Sequence, residues 1–130
     1  MVKRVNKENI MQNGDTVSQR PWGHYIKLYQ ESGVWVKRVE VKPGQRLSLQ
    51  KHEHRSEKWI VVSGQGIAVM DGQDIPLSAG SILDVPLGAV HRIGNTGKDI
   101  LVFIEVACGK HLSEEDIIRF QDDYDRKDNR

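Results

Sequence analysis

The chain has 130 residues, 38% of them hydrophobic and 28% charged, which suits one folded domain with a buried core. Nineteen lysines and arginines face eighteen aspartates and glutamates, and the resulting net charge of +1 excludes the broad cationic field on which nucleic-acid binding depends. The longest uncharged run, Trp59 to Met70, is twelve residues with two glycines inside, too short for a membrane span.

The N-terminus carries basic residues but no apolar stretch, so it does not read as a secretory signal. The single cysteine, Cys108, excludes an intramolecular disulfide and a cluster of cysteine metal ligands. The expected setting is cytoplasmic, without nucleic acid or membrane as partner.

In chain order, residues 1–19 are polar and lack a clean period, and they read as an N-terminal arm. A domain is expected over 20–120. His24–Tyr29 alternates and turns at Ser32-Gly33, and Val34–Val41 is β-branched until Lys42-Pro43-Gly44 stops it. Extended runs follow at Arg46–His52, Trp59–Val62, Ile67–Met70, Ile75–Leu77, Ile82–Val85, Val90–Ile93 and Ile100–Ala107. Asp71-Gly72 suits a hairpin, because such turns need positive φ. Many short strands between turn signals predict an all-β sandwich or barrel. One helix is predicted over Ser113–Phe120, with Ser113 as N-cap and Glu114, Glu115 and Asp116 at the end where the dipole favours negative charge. Residues 121–130 form a charged tail.

Gln50, His52 and His54 lie at i, i+2 and i+4 of a predicted strand, so period-two geometry puts them on one face with Arg46 and Ser48. Glu57 starts the next strand, and His91 follows Pro86-Leu87-Gly88. Two imidazoles and a carboxylate meeting inside a barrel make a divalent-metal site, and a Gln carbonyl oxygen adds a fourth, neutral donor. A His-x-His on a strand, taken alone, is more often a polar face than a ligand set.

Spacing makes the pattern specific. Gly44, five residues, Gln50, one residue, His52, four residues, Glu57, six residues and Gly64 resembles the first cupin motif, with Gln50 in place of its first His. Gly80, five residues, Pro86-Leu87-Gly88, two residues, His91, three residues and Asn95 resembles the second. The implied fold is a small jelly-roll barrel. Arg20-Pro21-Trp22-Gly23, Val36-Lys37-Arg38, Val41-Lys42-Pro43-Gly44, Leu47-Ser48-Leu49-Gln50, His54-Arg55-Ser56-Glu57, His91-Arg92 and Asp116-Ile117-Ile118-Arg119-Phe120 follow in order, and with them the chain is similar to the type II mannose-6-phosphate isomerase family. In that family the domain commonly follows a GDP-mannose pyrophosphorylase domain. Two positions depart from the family: Glu53 interrupts a usual run of three histidines, and Lys58 replaces a usual His.

The resemblance implies Gln50, His52, Glu57 and His91 as ligands of one divalent ion (Zn, Co, Mn, Ni or Fe). It also implies interconversion of mannose 6-phosphate and fructose 6-phosphate through a metal-stabilised enediol, and a homodimer. Isomerisation needs a general base. His54 is the first candidate, since it shares the ligand face and is not itself needed as a ligand, and Arg92 is a second catalytic candidate from the family's His-Arg pair. A sugar phosphate also needs cations, and Arg46, Lys37, Arg38 and Lys58 are the substrate-binding candidates. Strand parity favours Arg46 as inward and disfavours Lys58 and Arg92. Trp59 shares the parity of Glu57 and is placed to wall the pocket. Two other functions compete: a non-haem metal oxygenase, which uses two His and a carboxylate, and a non-catalytic sugar-binding cupin module.

Overall fold

The structure is a computed structural model and describes residues 16–126. Most of the expected arm and the end of the expected tail lie outside the described residues. Eleven strands occur among those described: β1 (Val17–Arg20), β2 (Gly23–Glu31), β3 (Val34–Val41), β4 (Leu49–Lys51), β5 (Ser56–Ser63), β6 (Gln65–Met70), β7 (Gln73–Ser78), β8 (Ile82–Val85), β9 (His91–Asn95), β10 (Leu101–Cys108) and β11 (Ile118–Gln121). They form a six-stranded sheet, β1-β2-β3-β10-β5-β8, and a five-stranded sheet, β11-β4-β9-β6-β7. Pairing is antiparallel throughout. The all-β jelly roll expected from the sequence is the observed fold. No helix among the described residues is long and apolar enough to cross a membrane.

Alternation decides which side chains enter the barrel. In β3 the buried residues are Trp35, Lys37, Val39 and Val41, every second position. In β10 they include Leu101, Phe103, Glu105 and Ala107 on the same parity. The core joins Val39, Trp59 and Phe103 of one sheet to Ala68, Leu77 and Ile93 of the other. Burial of this apolar surface is the main stabilising term.

Turn chemistry sets the register. Asp71 and Gly72 both have positive φ (47° and 84°) and connect β6 to β7, and the Asp71 carboxylate accepts the Val90 N–H at 2.9 Å. Gly88 has φ 79°, a conformation that glycine adopts without a Cβ clash. Its N–H donates to the His52 carbonyl at 3.0 Å, which ties the turn before β9 to the chain leaving β4. That bond brings His52 and His91 to one end of the barrel.

The expected helix is absent. Ser113 caps a single turn, with Glu115 N–H donating to its Oγ at 3.1 Å and Asp116 N–H to its carbonyl. The chain then enters β11, where Ile118 pairs with Lys51 and Arg119 with Gln50. A helix of eight residues is marginal on its own. The edge of β4 offers its backbone groups instead, and the β-branched Ile117-Ile118 pair suits a strand. Beyond β11, Tyr124 donates to Gln45 Oε1 at 2.6 Å and Arg126 pairs with Asp122, so this part of the tail is held against the barrel.

Candidate metal centre

A cavity of about 280 Å³ opens between the sheets. Gln50, His52, Glu57 and His91 all line it, and all four are buried. Gln50 of β4 lies directly across from His91 of β9, and Glu57 comes from the facing sheet. The ligand atoms of His52, Glu57 and His91 lie within 4.8 Å of one another. Two metal–ligand bonds of ~2.1 Å each keep any two donors within about 4.2 Å, so a small contraction gathers the three around one ion.

The tautomers follow from the backbone. His52 Nδ1 is 2.7 Å from the Asp116 carbonyl, and His91 Nδ1 is 2.9 Å from the Ala89 carbonyl. A carbonyl can only accept, so both Nδ1 atoms donate and the lone pairs sit on Nε2; that of His52 accepts Arg55 Nη2 at 3.3 Å, a contact that a bound ion would replace. This backbone support is the usual orienting device of metal-binding histidines. The Gln50 amide nitrogen lies 3.3 Å from the Ser48 carbonyl, which can only accept, and 3.1 Å from Ser48 Oγ; the carbonyl assigns the nitrogen to that side and leaves the amide oxygen as the ligand atom.

Charge states suit ligation. Burial lowers His52 to about 4, against the pull of Glu57. Burial likewise lowers His91, again opposed by Glu57. Burial works against the Glu57 carboxylate, but His52, Arg55 and His91 outweigh it and hold it down to about 2. Since the imidazoles are neutral at neutral pH, Arg55 supplies the standing positive charge. Its Nε donates to Glu57 Oε2 at 2.9 Å, and its Nη1 to the Ser113 carbonyl at 3.0 Å. The other Glu57 oxygen accepts the Trp59 indole N–H at 2.9 Å, so Trp59 both walls the cavity and orients a ligand. Two neutral nitrogens, one carboxylate and one amide oxygen fit a divalent first-row ion.

The other expected site residues divide. His54 is exposed, lies outside this cavity and lines a smaller one with Glu53, His111 and Asp116. The period-two argument fails there because β4 ends at Lys51 and the chain bends at Glu53 and His54, whose N–H groups donate to the Asp116 carboxylate. Arg46 is half exposed, pairs with Asp123 at 2.7 Å and is outside the cavity. It forms only an isolated bridge to Gly94, so inward parity does not extend to it. Arg38 pairs with Glu40 on the outer face, and Lys58 pairs with Asp84 while 71% exposed.

Lys37 and Arg92 do line the cavity, and both are buried. Lys37 Nζ lies 2.7 Å from Glu114 and stacks over the Tyr25 and Trp35 rings at 4.1 and 4.2 Å. Arg92 donates to the Leu47 carbonyl at 3.0 Å and to Gln121 at 3.3 Å, fastening β9 to β11.

Sequence reasoning missed Arg55, Glu105 and Glu114 as lining residues. Arg55 shares the parity of Glu57 and Trp59, and Glu105 shares that of Leu101 and Phe103; a charge at an apolar-parity position is the signal that marks both. Glu114 has no such signal, because it lies on an irregular segment.

Two sheets closing on inward histidines, a glutamine and a glutamate define a cupin barrel. The sequence matches the family described as mannose-6-phosphate isomerase C-terminal over residues 6–122, and the chain belongs to that family. It is 44% identical over 107 residues to the mannose-1-phosphate guanylyltransferase of Escherichia coli (strain K12), covering 82% of this chain and 22% of that protein. It is 45% identical over 127 residues to the alginate biosynthesis protein AlgA of Pseudomonas syringae pv. tomato, covering 97% of this chain and 26% of that one. The chain thus spans about a quarter of the length of these relatives. Its fold is similar to that of Pac13, a nucleoside dehydratase, with a TM-score of 0.69 over 85% of this chain and 88% of that one; at 19% identity this is a likeness of fold alone.

The relatives correct one expectation. The sequence reading makes the chain a mannose-6-phosphate isomerase-like enzyme, whereas the E. coli relative is named for guanylyl transfer, a different reaction. Membership of the family and similarity to these proteins do not make the chain an isomerase.

Proposed function

We propose that the barrel is a metal-centred binding site for a phosphorylated hexose of the mannose series. The observation that carries this reading is the buried Gln50-His52-Glu57-His91 set, oriented by the protein's own backbone and opening on a cavity that Lys37, Arg55 and Arg92 also line. Neutral imidazoles and one carboxylate suit a divalent ion that takes further oxygen ligands. Lys37 and Arg55 are already paired with Glu114 and Glu57, while Arg92 Nη2 is buried without a hydrogen-bond partner among the described residues, which suits an anionic ligand. The names of the family and of the E. coli relative share a mannose phosphate, which supports the choice of sugar. A divalent ion bound there would supply a Lewis-acidic centre for ligand hydroxyl oxygens. The protein's residues would hold that ion, fix the ligand's orientation and exclude bulk water.

Calorimetric titration of mannose 1-phosphate and mannose 6-phosphate into chain loaded with Zn, Mn or Co tests the reading. Binding that needs the metal and disappears in His91→Ala is expected. No binding of either sugar phosphate with any of the metals overturns it.

A further inference from the structure

The inner face of the six-stranded sheet carries two ionisable side chains that the metal centre does not use. Lys37 of β3 and Glu105 of β10 are cross-strand neighbours. Both are buried, 4% and 8% exposed, in rows that are otherwise almost wholly apolar, and both line the cavity. No ion pair joins them. Lys37 gives its ammonium to Glu114, and Glu105 Oε2 accepts the Trp35 indole N–H at 3.0 Å. A carboxyl offers about four lone-pair sites, so the Trp35 bond uses a small part of what Glu105 can make. Buried polar groups in native proteins normally satisfy that capacity, by protein, water or ligand.

We propose that Glu105 is a specificity-determining residue that hydrogen-bonds a hydroxyl of the bound ligand from the wall facing Gln50 and His91. The inference rests on the proposed function and deepens it: the ligand is selected for its hydroxyls, not only for its phosphate. The Trp35 indole holds the carboxyl in place, and Lys37, anchored between two aromatic rings, keeps a positive charge beside it. Burial, with the nearby Glu57 charge, raises Glu105 to about 8 against the opposing charges of Lys37 and Arg55. A protonated carboxyl both donates and accepts, and so does a sugar hydroxyl.

The test is calorimetry on metal-loaded full chain with three probes: mannose 6-phosphate, its 2-deoxy analogue and inorganic phosphate. Glu105→Gln keeps the size of the side chain and an acceptor for Trp35, and Glu105→Ala removes both. Affinity for mannose 6-phosphate should fall about tenfold or more in Glu105→Ala and by a smaller factor in Glu105→Gln. Metal content and affinity for inorganic phosphate should stay at the wild-type level. Equal affinity of wild type and both variants for mannose 6-phosphate overturns the inference alone, and so does an equal loss on inorganic phosphate, which would mark a structural role. If the 2-deoxy analogue loses affinity in the wild type but not in Glu105→Ala, the 2-hydroxyl is the partner; if it loses equally in both, Glu105 recognises another hydroxyl. Failure of wild type to bind any hexose phosphate overturns the proposed function, and this inference with it.

Discussion

His52 Nδ1 lies 2.7 Å from the carbonyl oxygen of Asp116, across sixty-four residues of sequence. The same residue's carboxylate accepts the N–H groups of Glu53 and His54 at 2.9 and 3.0 Å. One residue of the segment before β11 therefore holds both a metal-ligand candidate and the bend that follows it. Asp116→Ala would remove the carboxylate that pins the bend while keeping the backbone carbonyl on His52 Nδ1, so it loosens the placement of that carbonyl rather than deleting it. The expected result is about tenfold weaker metal affinity, the low end of the loss typical for orienting partners of ligand histidines because the carbonyl itself stays, read by competition with a chromophoric chelator. Unchanged affinity would show that the backbone carbonyl of residue 116 orients His52 without help from the carboxylate-held bend.

Arg55 is the buried counter-charge of Glu57. Removing one partner of a buried ion pair typically costs about 3–5 kcal/mol, because it leaves an uncompensated charge. Arg55→Leu should lose stability of that order in urea unfolding of metal-free protein. A divalent cation would replace the missing charge at Glu57, so metal should restore more stability to the variant than it adds to the wild type. Equal increments in both would show that the metal does not sit against Glu57.

His91→Ala should abolish stoichiometric metal, measured by elemental analysis after dialysis. Chelation of metal-loaded wild type should lower its melting temperature, while the same treatment leaves His91→Ala unmoved. Full metal retention by the variant would remove His91 from the ligand set.

The pH dependence of metal-free stability has opposing limbs. His52 is lowered to about 4 in the fold, so the unfolded chain binds its proton more readily; its contribution is present above about 6.5 and is lost as pH falls toward 4. Glu57, held at about 2, contributes above about 4.5 and is lost below it. Glu105, raised to about 8, behaves in the opposite sense: its contribution is full below about 4.5 and is lost as pH rises toward 8. Between about 4.5 and 6.5 the His52 and Glu105 slopes oppose each other, and from 6.5 to 8 only the Glu105 decline remains. Urea midpoints at half-unit pH steps should show that decline in the wild type and a flat limb in Glu105→Gln.

Lys58→Ala and Arg38→Ala should leave hexose-phosphate affinity within twofold of wild type. Their side chains pair with Asp84 and Glu40 away from the cavity, and exposed pairs of this kind contribute little. A larger loss in titration calorimetry would place one of them at the ligand.

Much of this barrel was written in local sequence. The spacing of the glycines, Gln50, His52, Glu57 and His91 was legible through its resemblance to the cupin motifs, while alternation in Val34–Val41 and the Asp71-Gly72 turn depend on period-two geometry and backbone preference, which neighbouring residues settle among themselves. The same reasoning put His54 and Arg46 inside, and it failed at both because parity holds only while a strand continues, and β4 runs no further than Leu49–Lys51. It made Ser113–Phe120 a helix, since a cap and an acidic first turn are local signals, whereas the open edge of β4 that claims Ile118–Gln121 is supplied by residues far back in the chain. The 130 residues and near-zero net charge thus set a small domain without a broad cationic field, and alternation with its turn residues made that domain β. Which charges share the cavity with Gln50, His52, Glu57 and His91 was decided by tertiary structure. Arg55, Glu105 and Lys37 meet there only through strand pairing and through the Ser113–Asp116 turn closing over them, and burial of a charge is a property of what surrounds it.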